Sequence, residues 1–269
     1  MTYTVLITGS SSGIGQATTQ LFAQQGWNVA ATARNPASLV PLAGASVLAL
    51  PLDVTDEASI AAAVEATTAR FGSIDALVNN AGYGLFGPLE GITDEQLEQQ
   101  LRTNVFGVVA LIRQVVPLMR QRHSGTIITI SSTGGRVASP FAAAYHASKY
   151  ALEGLCESLR FELKPQGIRV KLVEPGHVKT GFIRSLTWAT HSAYEPYLSN
   201  WRAQVEQSDD HAPGCEGVAR VIFKAATDQS WRLRYPTQAG PILALHAALP
   251  DSLWASMVST GLNRSPRSR

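Results

Sequence analysis

The stretch TVLITGSSSGIG, Thr4–Gly15, joins an apolar run to a turn that contains three glycines. The run predicts a buried strand, and the residues from about Ile14 to Gln25 predict a helix. Gly9, Gly13 and Gly15 lack a Cβ atom. The backbone can therefore turn sharply and approach a pyrophosphate, whose charge the amides at a helix start favour. A tight structural turn would explain the glycines alone about as well, but the flanking strand and helix favour a nucleotide site.

Strand-like and helical segments alternate along the rest of the chain. The strand-like runs are NVAATA, SVLALPLDV, ALVNNAG, TIITISS, IRVKLVEPG and RLRYPTQ. The predicted helices cover about Glu57–Phe71, Asp94–Gln121, Tyr145–Lys164 and 217–228. This alternation predicts βαβ units and a single-domain, Rossmann-type α/β fold, with a doubly wound parallel sheet between two helical layers. Such sheets bind ligands beyond the carboxyl ends of their strands.

Composition limits the class of protein. The chain has 269 residues, 45% of them hydrophobic, and a formal net charge of +2. This charge gives no indication of a nucleic-acid partner. Cys156 and Cys215 are too few for a disulfide framework, and no cysteine, histidine or carboxylate spacing indicates a metal site. The sequence shows neither a secretory signal pattern nor an apolar run of roughly 18 residues. We therefore expect a cytoplasmic protein without a membrane span.

The end of the second predicted strand bears on the type of nucleotide. NAD enzymes of this fold commonly place an Asp or Glu there, beside the 2′-hydroxyl of the adenosine ribose. Residues 28–37 contain no acid, and the charged residue at the strand end is Arg34. A guanidinium suits a 2′-phosphate, so the sequence favours NADP(H) over NAD(H), although an arginine at a loop start is often only solvated.

Seven short motifs follow one another along the chain: TGSSSGIG, LDV, NNAG, TNVFG, ISSTGG, YHASK and EPGHVKT. In content and spacing they resemble the short-chain dehydrogenase/reductase superfamily, over about residues 4–182. The amino-acid sequences of two segments are most similar to the branch with 17-beta-hydroxysteroid and retinol dehydrogenases. These segments are NNAGYGLFGPLEG and YHASKYALEGLCESLRFEL. The resemblance implies an oxidoreductase that interconverts a ketone or aldehyde and an alcohol by hydride transfer with a nicotinamide cofactor.

The resemblance also implies the roles of four residues. Tyr145 would be the general acid/base, and Lys149 would be its electrostatic partner. Ser132 would orient the carbonyl, and Asn104 would anchor a proton-relay water. A spacing of 13 residues before the tyrosine, as in the family, favours Ser132 over Ser131, which is expected to pack or hydrogen-bond at the strand end.

Implied cofactor contacts come from the glycine turn, the ends of the strands and the helix that carries the tyrosine. They are Gly9, Ser11, Ser12, Gly13, Ile14, Gly15, Arg34, Asp53, Val54, Asn80, Ala81, Gly82, Tyr145, Lys149, Pro175, Gly176, Val178 and Thr180.

The spacing of Tyr145 and Lys149 has its own chemical meaning. Residues four apart share a helix face, and positive charge from Lys149 and an oxidised nicotinamide is expected to lower the pKa of Tyr145. Tyrosine and lysine also occur at this spacing on many exposed helices, so the pair alone would not establish catalysis. His146 should point about 100° away from Tyr145, which favours a surface position. His177, after a strand end, could border the substrate.

The segment 182–213 differs from the rest of the chain. It carries aromatic residues, among them Trp188 and Trp201, between polar residues and without a strand period. This candidate substrate lid favours an apolar substrate, although a plain surface excursion would explain the pattern as well. The tail 263–269, NRSPRSR, lacks apolar residues and is expected to be disordered.

Two further questions stay open in the sequence. A nucleotide-sensing or scaffold protein could keep the nucleotide site without turnover.

The resemblance implies a homodimer or homotetramer formed through the helices after the fourth and fifth strands. The apolar face of the second helix could serve either as core or as interface; its leucines are Leu152, Leu155, Leu159 and Leu163.

Overall fold

The computed structural model describes residues 2–42, 44–209 and 212–262. Within these ranges the strands are β1 (Thr4–Ile7), β2 (Asn28–Ala33), β3 (Val47–Pro51), β4 (Ala76–Asn79), β5 (Leu85–Phe86), β6 (Gly125–Ile130), β7 (Ile168–Pro175), β8 (Thr187–Trp188) and β9 (Arg234–Thr237). The α-helices are α1 (Gly13–Gln24), α2 (Glu57–Phe71), α3 (Asp94–Leu101), α4 (Gly107–Gln121), α5 (Ala143–Leu163), α6 (Tyr197–Asp209), α7 (Glu216–Thr227), α8 (Gly240–Ala248) and α9 (Asp251–Leu262).

The main sheet is parallel and doubly wound, which confirms the predicted fold class. In the described ranges its seven strands follow the order β3-β2-β1-β4-β6-β7-β9. The chain runs outward from β1 to β3, returns to β4 on the other side of β1, and runs outward again. The carboxyl ends of β1 and β4 therefore carry connections that leave in opposite directions, and a ligand crevice forms at this switch point.

Two apolar cores, one on each face, explain why the central strands are almost wholly hydrophobic. Successive side chains of a strand point to opposite faces, so a parallel sheet covered on both sides buries every position. Leu6, Leu77 and Ile127 are register neighbours and share one core with α2, α4 and α5. Val78 and Ile128, one residue further on, lie in the other core with α1 and α7.

The predicted helix Asp94–Gln121 contains a π-helical turn at Arg102–Phe106, between α3 and α4. Among the described residues this stretch alone is long and apolar enough to cross a membrane, by length and composition, with a mean hydropathy of 1.3 in its 18-residue window. This stretch differs from the sequence-based expectation of no apolar run near 18 residues. Leu111, Val115 and Met119 pack into the core under the sheet, so apolar residues of this stretch cover the sheet.

The candidate lid segment has more regular structure than its sequence pattern predicts. Its short strand β8 pairs in parallel with β5, and a helix, α6, follows. Residues 210 and 211 of this segment and the tail 263–269 lie outside the described residues.

Candidate active site

A cavity of about 1410 Å³ opens at the carboxyl edge of the main sheet. Its walls include the glycine turn, the residues after β2, β3, β4, β6 and β7, and one face of α5. Every residue expected to contact the cofactor lines this cavity except Gly15. Ser132 lines it as well, and Asn104 does not. Residues from all seven sequence motifs therefore line one cavity.

The glycine turn after β1 forms a close-fitting cradle. Gly9 and Gly13 have positive φ angles, of +70° and +55°, which L side chains rarely adopt. A Cβ on Gly15 would collide with the carbonyl oxygen of Gly9 and come within 2.6 Å of Nδ2 of Asn80. Gly15 thus packs against Gly9 and Asn80. Gly9 and Gly13 line the cavity at the start of α1. This shape fits the pyrophosphate of a dinucleotide.

Thr8 and Asn80 tie the cradle to β4. The Thr8 hydroxyl oxygen accepts hydrogen bonds from the backbone N–H groups of Asn80 and Ala81, each at 2.9 Å. Nδ2 of Asn80 donates to the carbonyl oxygens of Thr8, at 2.8 Å, and Gly9, at 3.1 Å. Thr8 was not anticipated from the sequence, although its position at the end of an apolar strand is a signal that could have indicated it.

Arg34 and Asp53 bring one cation and one carboxylate to the cavity wall. Arg34 follows β2 and is exposed on the cavity wall. Asp53 follows β3, and its Oδ1 accepts from the backbone N–H and the hydroxyl of Thr55, at 2.9 and 2.8 Å. These bonds, and the charge of Arg34, lower the pKa of Asp53. Both residues lie where the sequence placed them.

Tyr145 and Lys149 lie side by side on the buried face of α5. The Lys149 ammonium is 5.8 Å from the centre of the Tyr145 ring and donates to the carbonyl oxygen of Ile130 at 2.9 Å. Burial lowers the pKa of Lys149 to about 8, against the opposing charge of Glu153. Burial also raises the pKa of Tyr145, while a hydrogen bond with Ser132 acts to lower it.

The raised pKa of Tyr145 differs from the sequence expectation of a lowered one. The physical reason is that both groups are buried, so desolvation penalises the tyrosinate. The side chain of Ser132 is hydrogen-bonded to Tyr145. Ser131 is buried, and its hydroxyl has no hydrogen-bond partner among the described residues, so it packs at the strand end.

Asn104 lies in the π-helical turn between α3 and α4 and is buried. Its Oδ1 accepts from the backbone N–H of Tyr83 at 3.1 Å, and its Nδ2 donates to the carbonyl oxygen of Tyr83 at 2.9 Å. Nδ2 also donates to the Ser148 hydroxyl at 3.1 Å. The side chain therefore joins the loop after β4 to α5, which positions Tyr145.

His146 is not on the surface, contrary to the sequence expectation. Its ring is buried and lies between the loop after β6 and α5, where both nitrogens form hydrogen bonds. Adjacent residues of a helix point about 100° apart, but the loop 133–142 covers the side of α5 that carries His146. Helical spacing alone could not indicate this contact.

Two aromatic side chains pack against the ring of Tyr145. The Phe86 and Phe182 ring centres each lie 5.6 Å from that of Tyr145. Pairing of β5 with β8 places Phe86 beside Trp188, with ring centres 5.5 Å apart. His177 lines the same cavity.

The C-terminal helices α8 and α9 also reach the cavity, which the sequence analysis did not foresee. Ile242, Trp254 and Val258 contribute to its lining. Trp201 and Val205 of α6 line it too, so part of the candidate lid segment borders the space beside Tyr145. In the described ranges no group of three or more histidine, cysteine or acidic side chains is placed to hold a metal ion.

A buried cluster of charges lies behind the Ser132 loop. Glu174 is completely buried at the end of β7, 3.6 Å from Nη1 of Arg136 and 3.4 Å from Nε of Arg234. Arg234 also donates to Glu153 and Glu157, at 3.0 and 2.7 Å. Burial, then the charge of Glu153, raises the pKa of Glu174 to about 7, although both arginines oppose the change.

Glu174 is expected to make stability depend on pH. Since its folded-state pKa exceeds the unfolded value of about 4.5, its favourable contribution is present below pH 4.5 and is lost as the pH rises to about 7. Glu174→Gln cannot titrate, so the variant should gain on the order of 2–3 kcal/mol relative to the wild type between pH 5 and pH 8. Urea unfolding of both proteins at each pH measures this change.

Glu157→Gln is the matched control for this prediction. Glu157 is exposed and binds the same arginine, which lowers its pKa. Its replacement should therefore give no gain in stability at the higher pH. An equal pH dependence in the wild type and Glu174→Gln would contradict the role assigned to burial.

The comparisons with known proteins agree with the geometry. The family model described as short chain dehydrogenase matches residues 3–189. A 3-ketodihydrosphingosine reductase of Bacteroides thetaiotaomicron is 36% identical over 260 residues, which cover 93% of this chain and 94% of the relative. The 17-beta-hydroxysteroid dehydrogenase type 1 of Mus musculus is 41% identical over 250 residues, covering 86% and 72%.

Solved structures show the same fold. A short-chain dehydrogenase from Streptomyces avermitilis has a TM-score of 0.84 and 32% identity, and the match covers 96% of each chain. ElxO with NADP bound has a TM-score of 0.75 and 26% identity, covering 90% of this chain and 99% of the other. A 3-ketoacyl-(acyl-carrier-protein) reductase from Brucella melitensis, complexed with NADH, matches with the same TM-score and identity, covering 88% and 98%. Both types of nicotinamide cofactor thus occur among these neighbours.

The family match spans more than two thirds of the chain, from the strand before the glycine turn to the strand that pairs with β5. Nothing essential to the motif set is missing, and the structure brings the motifs to one cavity. The chain therefore belongs to the short-chain dehydrogenase/reductase family, whose members are oxidoreductases that act between an alcohol and a carbonyl group with a nicotinamide cofactor.

Proposed function

We propose that this protein is an NADP(H)-dependent oxidoreductase that interconverts a hydrophobic ketone or aldehyde and its alcohol, with Tyr145 as the general acid/base. The observation that carries the proposal is the placement of Ser132, Tyr145 and Lys149 in the same cavity as the glycine cradle. When bound, the cofactor supplies or accepts the hydride. The chain provides orientation, hydrogen bonds and the proton.

Proton transfer can be assigned to specific groups. Carbonyl reduction places negative charge on oxygen, and a donor must lie beside that oxygen. The phenol of Tyr145 is protonated at neutral pH, as a tyrosine ordinarily is, and can give a proton. Burial raises its pKa, so the positive charge of Lys149 and the hydrogen bond with Ser132 are needed to favour its release. Lys149, with a pKa of about 8, is mostly cationic at pH 7 and stabilises the tyrosinate that remains. Ser132 would donate a second hydrogen bond to the same oxygen.

The proposed preference for NADP(H) rests on Arg34. No acidic residue occupies residues 28–37, and Arg34 lies on the cavity wall at the end of β2. Arg34→Ala should raise the Kd of NADPH about 10- to 100-fold, because hydrogen bonds to a charged group contribute about 1.5–3 kcal/mol. The Kd of NADH should change by less than about twofold. Fluorescence titration with both nucleotides gives these constants.

Arg70→Ala serves as the control for Arg34. Arg70 is in the last turn of α2, stacks over Phe71 and is not part of the cavity lining, so its loss should leave both constants unchanged. Tighter binding of NADH than NADPH by the wild type would refute the preference. So would an equal loss of affinity for both nucleotides in Arg34→Ala.

The aromatic wall around Tyr145 supports a hydrophobic substrate. Phe86, Phe182 and Trp188 form it, and Ile242, Trp254 and Val258 extend the apolar lining. The names of two relatives refer to a sphingoid ketone and a steroid alcohol, each with a large apolar body. The segment 182–213 would act as the substrate lid, since Phe182, Trp201 and Val205 line the cavity.

A series of methyl ketones of increasing chain length tests this substrate class. We expect kcat/KM for NADPH-dependent reduction to rise with length, by up to about 0.8 kcal/mol per buried methylene. Phe182→Ala should weaken that dependence, whereas Phe71→Ala, which lies outside the cavity, should preserve it. A flat series in the wild type would rule out an apolar pocket. NADPH binding without turnover of any ketone, aldehyde or quinone would favour the sensing or scaffold alternative.

A homodimer or homotetramer is also proposed, by analogy with the family. The leucines of α5 are mainly core residues here, since Leu152 and Leu163 are buried and Leu155 and Leu159 pack against the same core. The opposite side of α5 and the start of α4 leave Tyr150, Phe161 and Phe106 exposed, which is where a second subunit would pack. Light scattering that showed only monomer would reject the proposal.

A further inference from the structure

His146 is adjacent to Tyr145 on α5, and both of its ring nitrogens form hydrogen bonds. Nε2 lies 2.9 Å from the backbone nitrogen of Ser139, and Nδ1 lies 2.7 Å from the carbonyl oxygen of Gly134. A backbone N–H can only donate, so Nε2 is the acceptor. A carbonyl oxygen can only accept, so Nδ1 carries the proton. The hydrogen bonds thus define a neutral imidazole with its proton on Nδ1.

Gly134 connects this ring to Ser132. The peptide N–H of Gly134 donates to the Ser132 hydroxyl oxygen at 3.0 Å, while the carbonyl of the same residue accepts from His146. Since Ser132 accepts this bond from Gly134, its own proton can be directed toward Tyr145 or toward a substrate oxygen beside it. A Cβ on Gly134 would lie 2.9 Å from Nδ1 of His146 and 3.3 Å from Cε1 of Tyr145. The loop is therefore packed directly on two neighbouring side chains of α5.

The second bond holds the other end of the same loop. Ser139 donates its backbone N–H to Nε2, and its hydroxyl lies 3.0 Å from that nitrogen. Between the two attachment points, Val137 and Ala138 line the cavity. One histidine thus fixes both ends of the segment 134–139, which contributes to the cavity wall and begins two residues after Ser132.

We propose that His146 is a positioning residue: as the Nδ1-protonated imidazole it holds the segment 134–139 so that the Ser132 hydroxyl faces the substrate oxygen. The inference rests on the proposed function, because it assigns a purpose to Ser132. It goes beyond that function, since it assigns a role to a residue outside the proposed set Asn104, Ser132, Tyr145 and Lys149. Burial lowers the pKa of the ring, which favours the neutral form at pH 7.

Three substitutions separate the two bonds of His146. His146→Asn can still donate to Gly134, because an asparagine amide nitrogen reaches the position of Nδ1. His146→Gln can accept from Ser139, since its amide oxygen reaches further, but it loses the bond to Gly134. His146→Phe keeps a ring of similar size and loses both bonds.

We expect kcat to fall about 10- to 100-fold in His146→Phe and His146→Gln, less than the loss of a whole oxyanion donor. His146→Asn should recover most of the wild-type kcat. KM and the Kd of NADPH should stay within about threefold in all three variants. Equal kcat values for the Asn and Gln variants would overturn the proposal, and this comparison holds even where the Phe variant fails to fold.

Ser132→Ala distinguishes failure of this inference from failure of the proposed function. If Ser132→Ala lowers kcat and His146→Phe does not, the positioning role is wrong while the function stands. If Ser132→Ala leaves kcat unchanged, the proposed role of Ser132 is itself wrong and the inference falls with it. The double variant of Ser132→Ala and His146→Phe should be no slower than Ser132→Ala alone, because both substitutions act on the same hydrogen bond from Ser132 to the substrate.

A ligand-free measurement tests the tautomer directly. Nitrogen-15 NMR of histidine-labelled protein should show one ring, absent from the His146→Asn spectrum, with a protonated Nδ1 and an unprotonated Nε2 at pH 7. A proton on Nε2, or a cationic ring, would overturn the proposal whatever the activity of the enzyme.

Discussion

Tyr145→Phe is expected to lower kcat by about 10²- to 10⁴-fold, the range associated with loss of a positioned general acid or base. The substitution removes only the phenolic oxygen. The ring that remains can still pack against Phe86 and Phe182 and lie beside the Lys149 ammonium. The fold and the Kd of NADPH should therefore stay within a few-fold of the wild type. Steady-state kinetics and nucleotide titration measure the two quantities separately.

Tyr150→Phe is a matched control on the same helix. Tyr150 is 46% exposed and is not part of the cavity lining, so removal of its hydroxyl should leave kcat unchanged. Near-normal kcat in Tyr145→Phe would eliminate the proposed mechanism. A large loss of NADPH affinity in that variant would show that the phenol acts mainly in cofactor binding.

Gly15→Ala is expected to disrupt the nucleotide cradle and to destabilise the fold. The added Cβ would collide with the Gly9 carbonyl oxygen and approach Nδ2 of Asn80 within 2.6 Å, so the backbone of the turn must move. Overpacking of this kind costs about 1–3 kcal/mol. Movement of the turn should also weaken NADPH binding at least about tenfold, because its amides no longer face the pyrophosphate. Thermal unfolding and titration report the two effects.

Gly154→Ala is the control for Gly15→Ala, because it adds the same methyl group at a position where there is room for it. Gly154 is an exposed residue within α5, and a Cβ there would meet no described atom within 4 Å. Alanine is favoured over glycine in a helix interior by about 1 kcal/mol, so this variant should be neutral or slightly more stable. If Gly15→Ala binds NADPH as tightly as Gly154→Ala, the cradle does not form the pyrophosphate site.

The positions of strands and helices could be predicted because the patterns that specify them are local. NVAATA coincides with β2, and the helix expected over Glu57–Phe71 coincides with α2. The pairing of β5 with β8 could not be predicted, since it joins Phe86 to Trp188 across about a hundred residues of chain and each strand has only two residues. The sequence did not indicate that α8 and α9 border the cavity, because the local pattern of a helix carries no information about the distant segments that it meets.

The sequence by itself determined the parallel fold and the position of the glycine turn between β1 and α1. It also determined that Tyr145 and Lys149 share a helix face, because the period of a helix and the spacing of motifs are properties of neighbouring residues. Only the tertiary structure decided what lies against each face. Burial reversed the expected direction of the Tyr145 pKa shift. The loop 133–142, packed on the other side of α5, converted His146 from an expected surface residue into a buried partner of Gly134 and Ser139. Desolvation and hydrogen bonding depend on segments distant in sequence, and local spacing carries no information about them.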